Sequence, residues 1–219
     1  MTETEFLQWV RGPLFDIATI IMVAGIIVRI LQILLLGRKR NLAEAKGSAA
    51  AAGLRTIITR SVPDRNTYRR SAFTLTTGYV FHIGLFVVIF LFAPHILVFQ
   101  DLLNISWPAL STPVVDATSV ITMLALIAVL IHRLIDPVKR FLSGFQDYLA
   151  WLVTFLPLIT GYIAFHRLAP PAPTMIAIHI LSVELLMVLF PFTKLAHAFT
   201  LFISRWYNGA ISGYRGVRS

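Results

Sequence analysis

The stretch IAIHILSVELLMVLFPFTKLAHAFTLF, from Ile176 to Phe202, decides the fold because it is long and apolar enough to cross a membrane as a helix. It carries two histidines, His179 and His197, whose numbers differ by 18. In a continuous helix this spacing is about five turns, so it predicts both imidazoles on one face, about 27 Å apart. One helix would then offer a nitrogen ligand near each side of a hydrocarbon core about 30 Å thick.

The composition of the whole chain favours the same environment. Of its 219 residues 57% are hydrophobic and 13% are charged, and the mean hydropathy is +0.78. Backbone groups in lipid must be satisfied within their own segment, which excludes an open sheet and predicts helices. We therefore expect an all-α, polytopic membrane protein, a single domain over 1–219 with five transmembrane helices in a bundle, at about 13–36, 72–99, 114–135, 148–165 and 174–203.

The distribution of lysine and arginine predicts the orientation. Nine lie in the loop 37–71, three lie at or just after the end of the third span and three lie in the C-terminal tail, whereas two fall on the opposite side. The positive-inside rule places the N-terminus outside and both the loop and the C-terminus in the cytoplasm. The net charge of +9 is thus explained by basic residues that set the membrane orientation. We expect membrane lipid as a partner and no binding of nucleic acid. Within the loop, residues 42–60 are typical of either an interfacial amphipathic helix or a solvated basic linker.

The absence of cysteine narrows the possible cofactors. Disulfides, thiolate zinc sites and protein-bound iron–sulfur clusters are excluded. A metal in this chain must be held by histidine, methionine or oxygen ligands.

Histidines inside membrane spans are candidate functional groups, because burying them is costly. Bis-imidazole ligation of a haem needs one histidine from each of two facing helices at the same depth. The sequence therefore predicts two haems b between the second and fifth spans. The inner haem would be held by His82 and His197, and the outer haem by His95 and His179.

The position of His95 requires a break in the second span. His82 and His95 are 13 positions apart, which on an ideal helix turns the second ring by about 220° and raises it by about 20 Å. Pro94 removes a backbone hydrogen bond and clashes with the preceding turn, so a kink there would swing His95 back toward the fifth span. Without such a kink, the outer haem would need His166 or would be absent, leaving one haem. His132 is expected at the cytoplasmic interface.

Two runs resemble the gamma subunit of respiratory nitrate reductase, a membrane di-haem cytochrome b. They are FHIGL at 81–85 and LFPFTKLAH at 189–197, the second with its histidine 18 positions after His179. The resemblance implies that His82, His179 and His197 ligate haem, and that the fourth ligand falls near Phe92, where His95 is the nearest histidine. The run SGFQDY at 143–148 is similar to relatives that pair with heterodisulfide-reductase-like iron–sulfur proteins.

The resemblance also implies quinone or quinol as mobile substrate and a cytoplasmic iron–sulfur subunit of a redox complex as partner, in the inner membrane of a prokaryote. Glu184, the one acid well inside the fifth span, is a candidate for quinone contact or proton handling, or for a bond to a neighbouring helix. The alternative functions are a proton-relaying transporter component and a cofactor-free membrane anchor.

Overall fold

The computed structural model describes residues 2–37, 42–169 and 171–217. Over these residues the protein is helical and contains no strand. Five helical segments there are long and apolar enough to cross a membrane: Glu3–Leu35, Arg65–Leu91, Thr112–Ile135, Phe145–Phe165 and Ala172–Phe192. The prediction of an all-α, multi-pass membrane protein is therefore confirmed.

The helices are numbered in chain order. The described residues form α1 (Glu3–Trp9), α2 (Phe15–Leu35), α3 (Ala49–Thr59), α4 (Arg65–Leu91), α5 (Ala93–Leu103), α6 (Thr112–Ile135), α7 (Pro137–Leu142), α8 (Phe145–Phe165), α9 (Ala172–Leu189) and α10 (His197–Tyr214). A π-helical turn over Val10–Leu14, which contains Pro13, joins α1 to α2. The chain divides into two compact units, one of Met1–Ala18 with Ser71–Leu186 and the other of Thr19–Arg70 with Met187–Ser219.

In the first unit, the core lies where α6 and α8 pack together. Met123, Leu126 and Leu158 are its buried apolar side chains, and the indole of Trp151 in α8 donates to the Leu126 carbonyl at 2.8 Å. Small residues at a helix contact let two backbones approach closely. Gly84 plays this part between α4 and α6, since a Cβ there would overlap the hydroxyl of Thr122.

In the second unit, α3 packs against α10 along small residues. A Cβ at Gly209 would overlap Thr56, and one at Gly213 would overlap Ala52, so neither position accepts a side chain without movement. The helix predicted within 42–60 is present, though confined to Ala49–Thr59. One of its faces is covered by α10 while Leu54 remains exposed. Contact of that exposed face with lipid stays a prediction.

The fifth span is not the continuous helix expected through Phe202. Helix α9 ends at Leu189, two short 3₁₀ turns follow on either side of Thr193, and α10 begins at His197. Pro191 has no N–H and cannot continue a helix ladder, and Thr193 is extended, with its hydroxyl donating to the Leu189 carbonyl at 2.9 Å. The argument that five unbroken turns set the directions of His179 and His197 is therefore wrong.

In the same break, between α9 and α10, the carbonyl of Pro191 bonds Arg29, which lies within the apolar helix α2. Arg29 of α2 donates from Nε to the Pro191 carbonyl at 3.0 Å. A Cβ at Gly25, one turn earlier in α2, would lie 2.5 Å from Pro191 Cγ. Charged side chains inside membrane segments are retained where they pair with protein groups such as backbone carbonyls. The close contact at Gly25 and the bond from Arg29 together hold α2 against the broken segment.

Candidate functional site

The break between α4 and α5 positions His95. Phe92 is extended, with φ −89° and ψ 125°, and Pro94 lies in the first turn of α5. The break leaves carbonyls at the end of α4 without helical donors, because Pro94 has no N–H and the His95 N–H turns to Phe92 O at 3.0 Å. The interruption predicted from Pro94 is confirmed.

Groups from three places bond the carbonyls around this break. The Trp107 indole donates to Phe90 O, and the Leu110 N–H donates to Leu91 O at 2.9 Å. The third group is the ring of His95, whose Nδ1 lies 2.8 Å from Val88 O. The side chain of His95 is thus part of the cap that ends α4, which fixes its direction.

His95 and His179 come together in the structure. Their ring centres are 6.1 Å apart and their planes differ by 21°. An imidazole nitrogen lies about 1.1 Å from its ring centre and binds a metal at about 2.0–2.1 Å, so two imidazoles on opposite sides of one iron have ring centres about 6 Å apart. The structure thus brings the two rings of the predicted outer pair together, and their ligation of a haem stays a prediction.

Two residues of α8, Thr160 and Gly161, lie against the ring of His179. A Cβ at Gly161 would lie 2.9 Å from His179 Cε1 and 3.1 Å from Nδ1, so the ring needs the absence of a side chain there. The Thr160 hydroxyl lies 3.4 Å from His179 Nδ1 and 2.9 Å from the Ser182 hydroxyl. With Nδ1–H donating to Thr160, the lone pair of His179 is on Nε2, the nitrogen suited to a metal.

The other three predicted ligands share this pattern at Nδ1. His82 Nδ1 lies 2.7 Å from Gly78 O, His95 Nδ1 bonds Val88 O, and His197 Nδ1 lies 2.7 Å from Lys194 O. A metal-binding histidine commonly donates its second ring N–H to a carbonyl, which fixes the tautomer and the ring orientation. In the described structure, Nδ1 of each of the four rings thus has a hydrogen-bond partner.

The predicted inner pair falls in two different units. His82 is half-buried in α4 beside Phe81, whose ring centre is 4.0 Å from its own. His197 is exposed at the first position of α10. Each histidine is described within its own unit, and their pairing as inner-haem ligands stays a prediction.

Glu184 is buried without a partner. Its residue is 4% exposed, and among the described residues neither carboxyl oxygen has a hydrogen bond. The expected alternative, a bond to a neighbouring helix, is therefore not observed. Leaving a buried polar group unsatisfied costs about 1–3 kcal/mol. Glu184 therefore stays a candidate for binding a ligand or a proton.

His132 and Arg133 lie in the last turn of α6. The His132 ring packs edge-on against Phe73 at 4.6 Å. Arg133 donates to the Ser143 hydroxyl at 2.7 Å and lies 3.3 Å from Asp147, within the SGFQDY run.

Asp136 directly follows α6 and caps the N-terminus of α7. Its carboxylate accepts from the N–H groups of Lys139 and Val138, and the bond from Lys139 chiefly holds the pKa of Asp136 below its usual value. The capped turn and the Arg133 bonds fix the connection between α6 and α8.

His166 takes a different partner from the one considered for it. Its Nε2 lies 2.6 Å from Asp116 Oδ1 and donates to that oxygen, whereas the His95 and His179 rings lie next to each other. Asp116, Thr160 and Gly161 are the residues that reasoning from the sequence missed. A glycine inside an apolar helix costs about 1 kcal/mol relative to alanine, and Gly161 was a signal of close approach to another group.

No group of three or more histidine, cysteine, aspartate or glutamate side chains suited to a metal ion occurs in the described part of the chain. This finding has no bearing on a haem site, because bis-histidine ligation takes only two protein ligands.

Comparison with known proteins finds a relative that aligns along nearly the whole chain. A chain from Nitratidesulfovibrio vulgaris (strain Hildenborough), described only as a protein, is 24% identical over 209 residues, which cover 92% of this chain and 91% of that relative. No family model matches. No solved structure matches either. The similarity extends along nearly the whole of both chains and names no activity.

Proposed function

We propose that this protein is the membrane cytochrome b subunit of a quinone-linked oxidoreductase complex. It carries electrons between the quinone pool and a cytoplasmic iron–sulfur partner through two haems b. The observation that carries the proposal is the 6.1 Å separation of the His95 and His179 rings, which matches one iron between two imidazoles. Bound haem supplies a one-electron carrier at each depth of the membrane.

The chain's own residues do the positioning. The break at Phe92 turns His95 toward α9, and the bare backbone of Gly161 makes room for the His179 ring. Hydrogen bonds at Nδ1 hold both rings in one tautomer. A site held this way binds iron without reorganising its ligands, which favours fast electron transfer.

The quinone assignment rests on chemistry within the membrane. A haem subunit of five membrane helices needs a mobile apolar carrier, and quinol oxidation releases protons that acidic or imidazole groups must accept. Glu184 is the buried acid proposed for quinone contact or proton handling, because both its oxygens are unpartnered among the described residues. The exposed connection around α7 lies on the predicted cytoplasmic side, where the iron–sulfur subunit is proposed to bind, in a prokaryotic inner membrane.

A reduced-minus-oxidised spectrum of the purified protein tests the proposal. We expect dithionite to produce the alpha band of a b-type cytochrome, and a pyridine haemochrome assay to give two haems per chain. A protein that is folded but lacks this band contradicts the proposal. It would then favour the proton-relaying component or the cofactor-free anchor.

A further inference from the structure

Asp116 and His166 form a hydrogen-bonded couple that no motif in the sequence predicts. His166 follows the last residue of α8 and Asp116 lies in the second turn of α6, and their side chains meet at 2.6 Å. About a third of each side chain is exposed, 31% for His166 and 32% for Asp116. The couple is therefore held in place and yet reachable by a small molecule or by water.

The bond determines which ring nitrogen can act as a base. With Nε2–H donating to the Asp116 carboxylate, the lone pair of His166 is on Nδ1. A carboxylate in this position orients the imidazole and stabilises the imidazolium that forms when Nδ1 takes a proton. The couple thus has the chemistry of a general base.

Aromatic rings connect the couple to the candidate outer-haem ligands. The His166 ring centre is 5.2 Å from that of Phe165, Phe165 is 5.2 Å from Phe92, and Phe92 is 5.3 Å from His95. The ring of Tyr162 lies 4.4 Å from His166 on another side. The base therefore stands two aromatic rings away from a predicted iron ligand.

We propose that His166, oriented by Asp116, is the catalytic base that takes a proton from quinol beside the outer haem. The inference rests on the proposed function. For each quinol oxidised to quinone, two O–H bonds would break, and the two electrons would leave one at a time to the haem that His95 and His179 would hold. Nδ1 of His166 takes one of the two protons and releases it to water, and the second proton passes directly to water. In quinone reduction the same groups act in reverse.

Glu184 is less suited to this particular step. It is 4% exposed, so a proton that it binds has no direct exit to water, whereas the couple has one. The titratable and charged groups in contact with His166 or next to it in the chain are Asp116 on α6, Tyr162 one turn earlier in α8 and Arg167, the following residue. Among these, Asp116 has the direct bond to the ring.

The test compares His166→Gln and Asp116→Asn with the matched variant His132→Gln, at a ring in the last turn of α6 that packs against Phe73. Haem reduction is followed by stopped-flow absorbance after mixing oxidised protein with a soluble naphthoquinol. We expect His166→Gln to slow reduction by about 100-fold, as for loss of a general base. Asp116→Asn should give a smaller loss and His132→Gln none. Reduction by dithionite, which needs no quinol base, should stay complete in all three.

Two further measurements separate a base from a structural role. Added imidazole should restore quinol-dependent reduction in His166→Ala, because the exposed position admits a replacement base. Binding of a hydroxynaphthoquinone, measured as the ligand-dependent rise in melting temperature, should weaken about three- to tenfold in His166→Gln, as for a lost hydrogen bond. Unchanged quinol kinetics in a haem-replete His166→Gln would overturn this inference alone. Absence of haem from the unaltered protein would instead overturn the proposed function.

Discussion

Replacement of His179 by alanine is expected to lower the haem content from two per chain to one. If the His95 and His179 rings, whose centres are 6.1 Å apart, together hold the outer haem, removal of one ring leaves that haem a single protein ligand, and it should be lost during purification. The pyridine haemochrome assay measures this directly. His95→Ala should have the same effect, because the two histidines form one site.

The controls make the loss specific to the site. His132→Ala removes an imidazole that packs against Phe73, and it should keep both haems. His179→Met keeps a side chain able to ligate haem iron and should retain the haem at a raised midpoint potential, since methionine–histidine ligation raises the potential. If His179→Ala retained two haems in a folded protein, the outer pair would be assigned wrongly.

Composition and helical length were sufficient to predict the membrane-spanning helices, because the cost of unpaired backbone groups in lipid leaves few other folds. Local proline chemistry also predicted the break before His95. Pro94 lacks an N–H wherever it occurs, so the consequence follows without knowledge of neighbouring helices. What the pattern could not predict is which groups bond the exposed carbonyls, since Trp107 and Leu110 come from the following loop.

The fifth span shows why spacing alone misled. Its 18-position histidine interval fits an unbroken helix, yet Pro191 ends the helix before His197. The same proline rule that was applied to Pro94 would have predicted this second break. The even apolar character of the stretch favoured continuity, but hydropathy does not report whether backbone hydrogen bonds continue through a proline.

Contacts between distant positions were beyond the reach of the sequence. His166 and Asp116 are 50 positions apart, and nothing in either local pattern indicates the other. Thr160 and Gly161 are similarly defined by the ring of His179, which lies on the next helix. Single-sequence patterns describe faces and ends of helices, whereas the partner of each face is settled by packing.

Gly84→Ala is expected to be the most destabilising of the small substitutions in α4. A Cβ at this position would overlap Thr122 Oγ1 and lie 3.1 Å from Thr122 Cβ, and Thr122 is fully buried. Overpacking of this kind costs about 1–3 kcal/mol. The midpoint of thermal unfolding in detergent, followed by circular dichroism, should therefore fall.

The matched control is Gly78→Ala, at a position of the same helix where a Cβ meets nothing within 4 Å. That variant should be as stable as the unaltered protein or more so, because alanine favours a helix over glycine by about 1 kcal/mol. Adding Thr122→Ala to Gly84→Ala removes the overlapping hydroxyl and should restore part of the lost stability. Equal melting temperatures for Gly84→Ala and Gly78→Ala would show that α4 does not approach α6 this closely.

The Gly84→Ala substitution should also change the midpoint potential of the inner haem. Gly84 lies two positions after His82 in α4, so pushing this helix away from Thr122 displaces the His82 ring, whose Nδ1 is bonded to Gly78 O at 2.7 Å. We expect a shifted midpoint potential for the inner haem in Gly84→Ala and an unchanged one in Gly78→Ala, measured by redox titration. Because potentials depend on how axial ligands are oriented, a change confined to one of the two haems would place His82 at that iron.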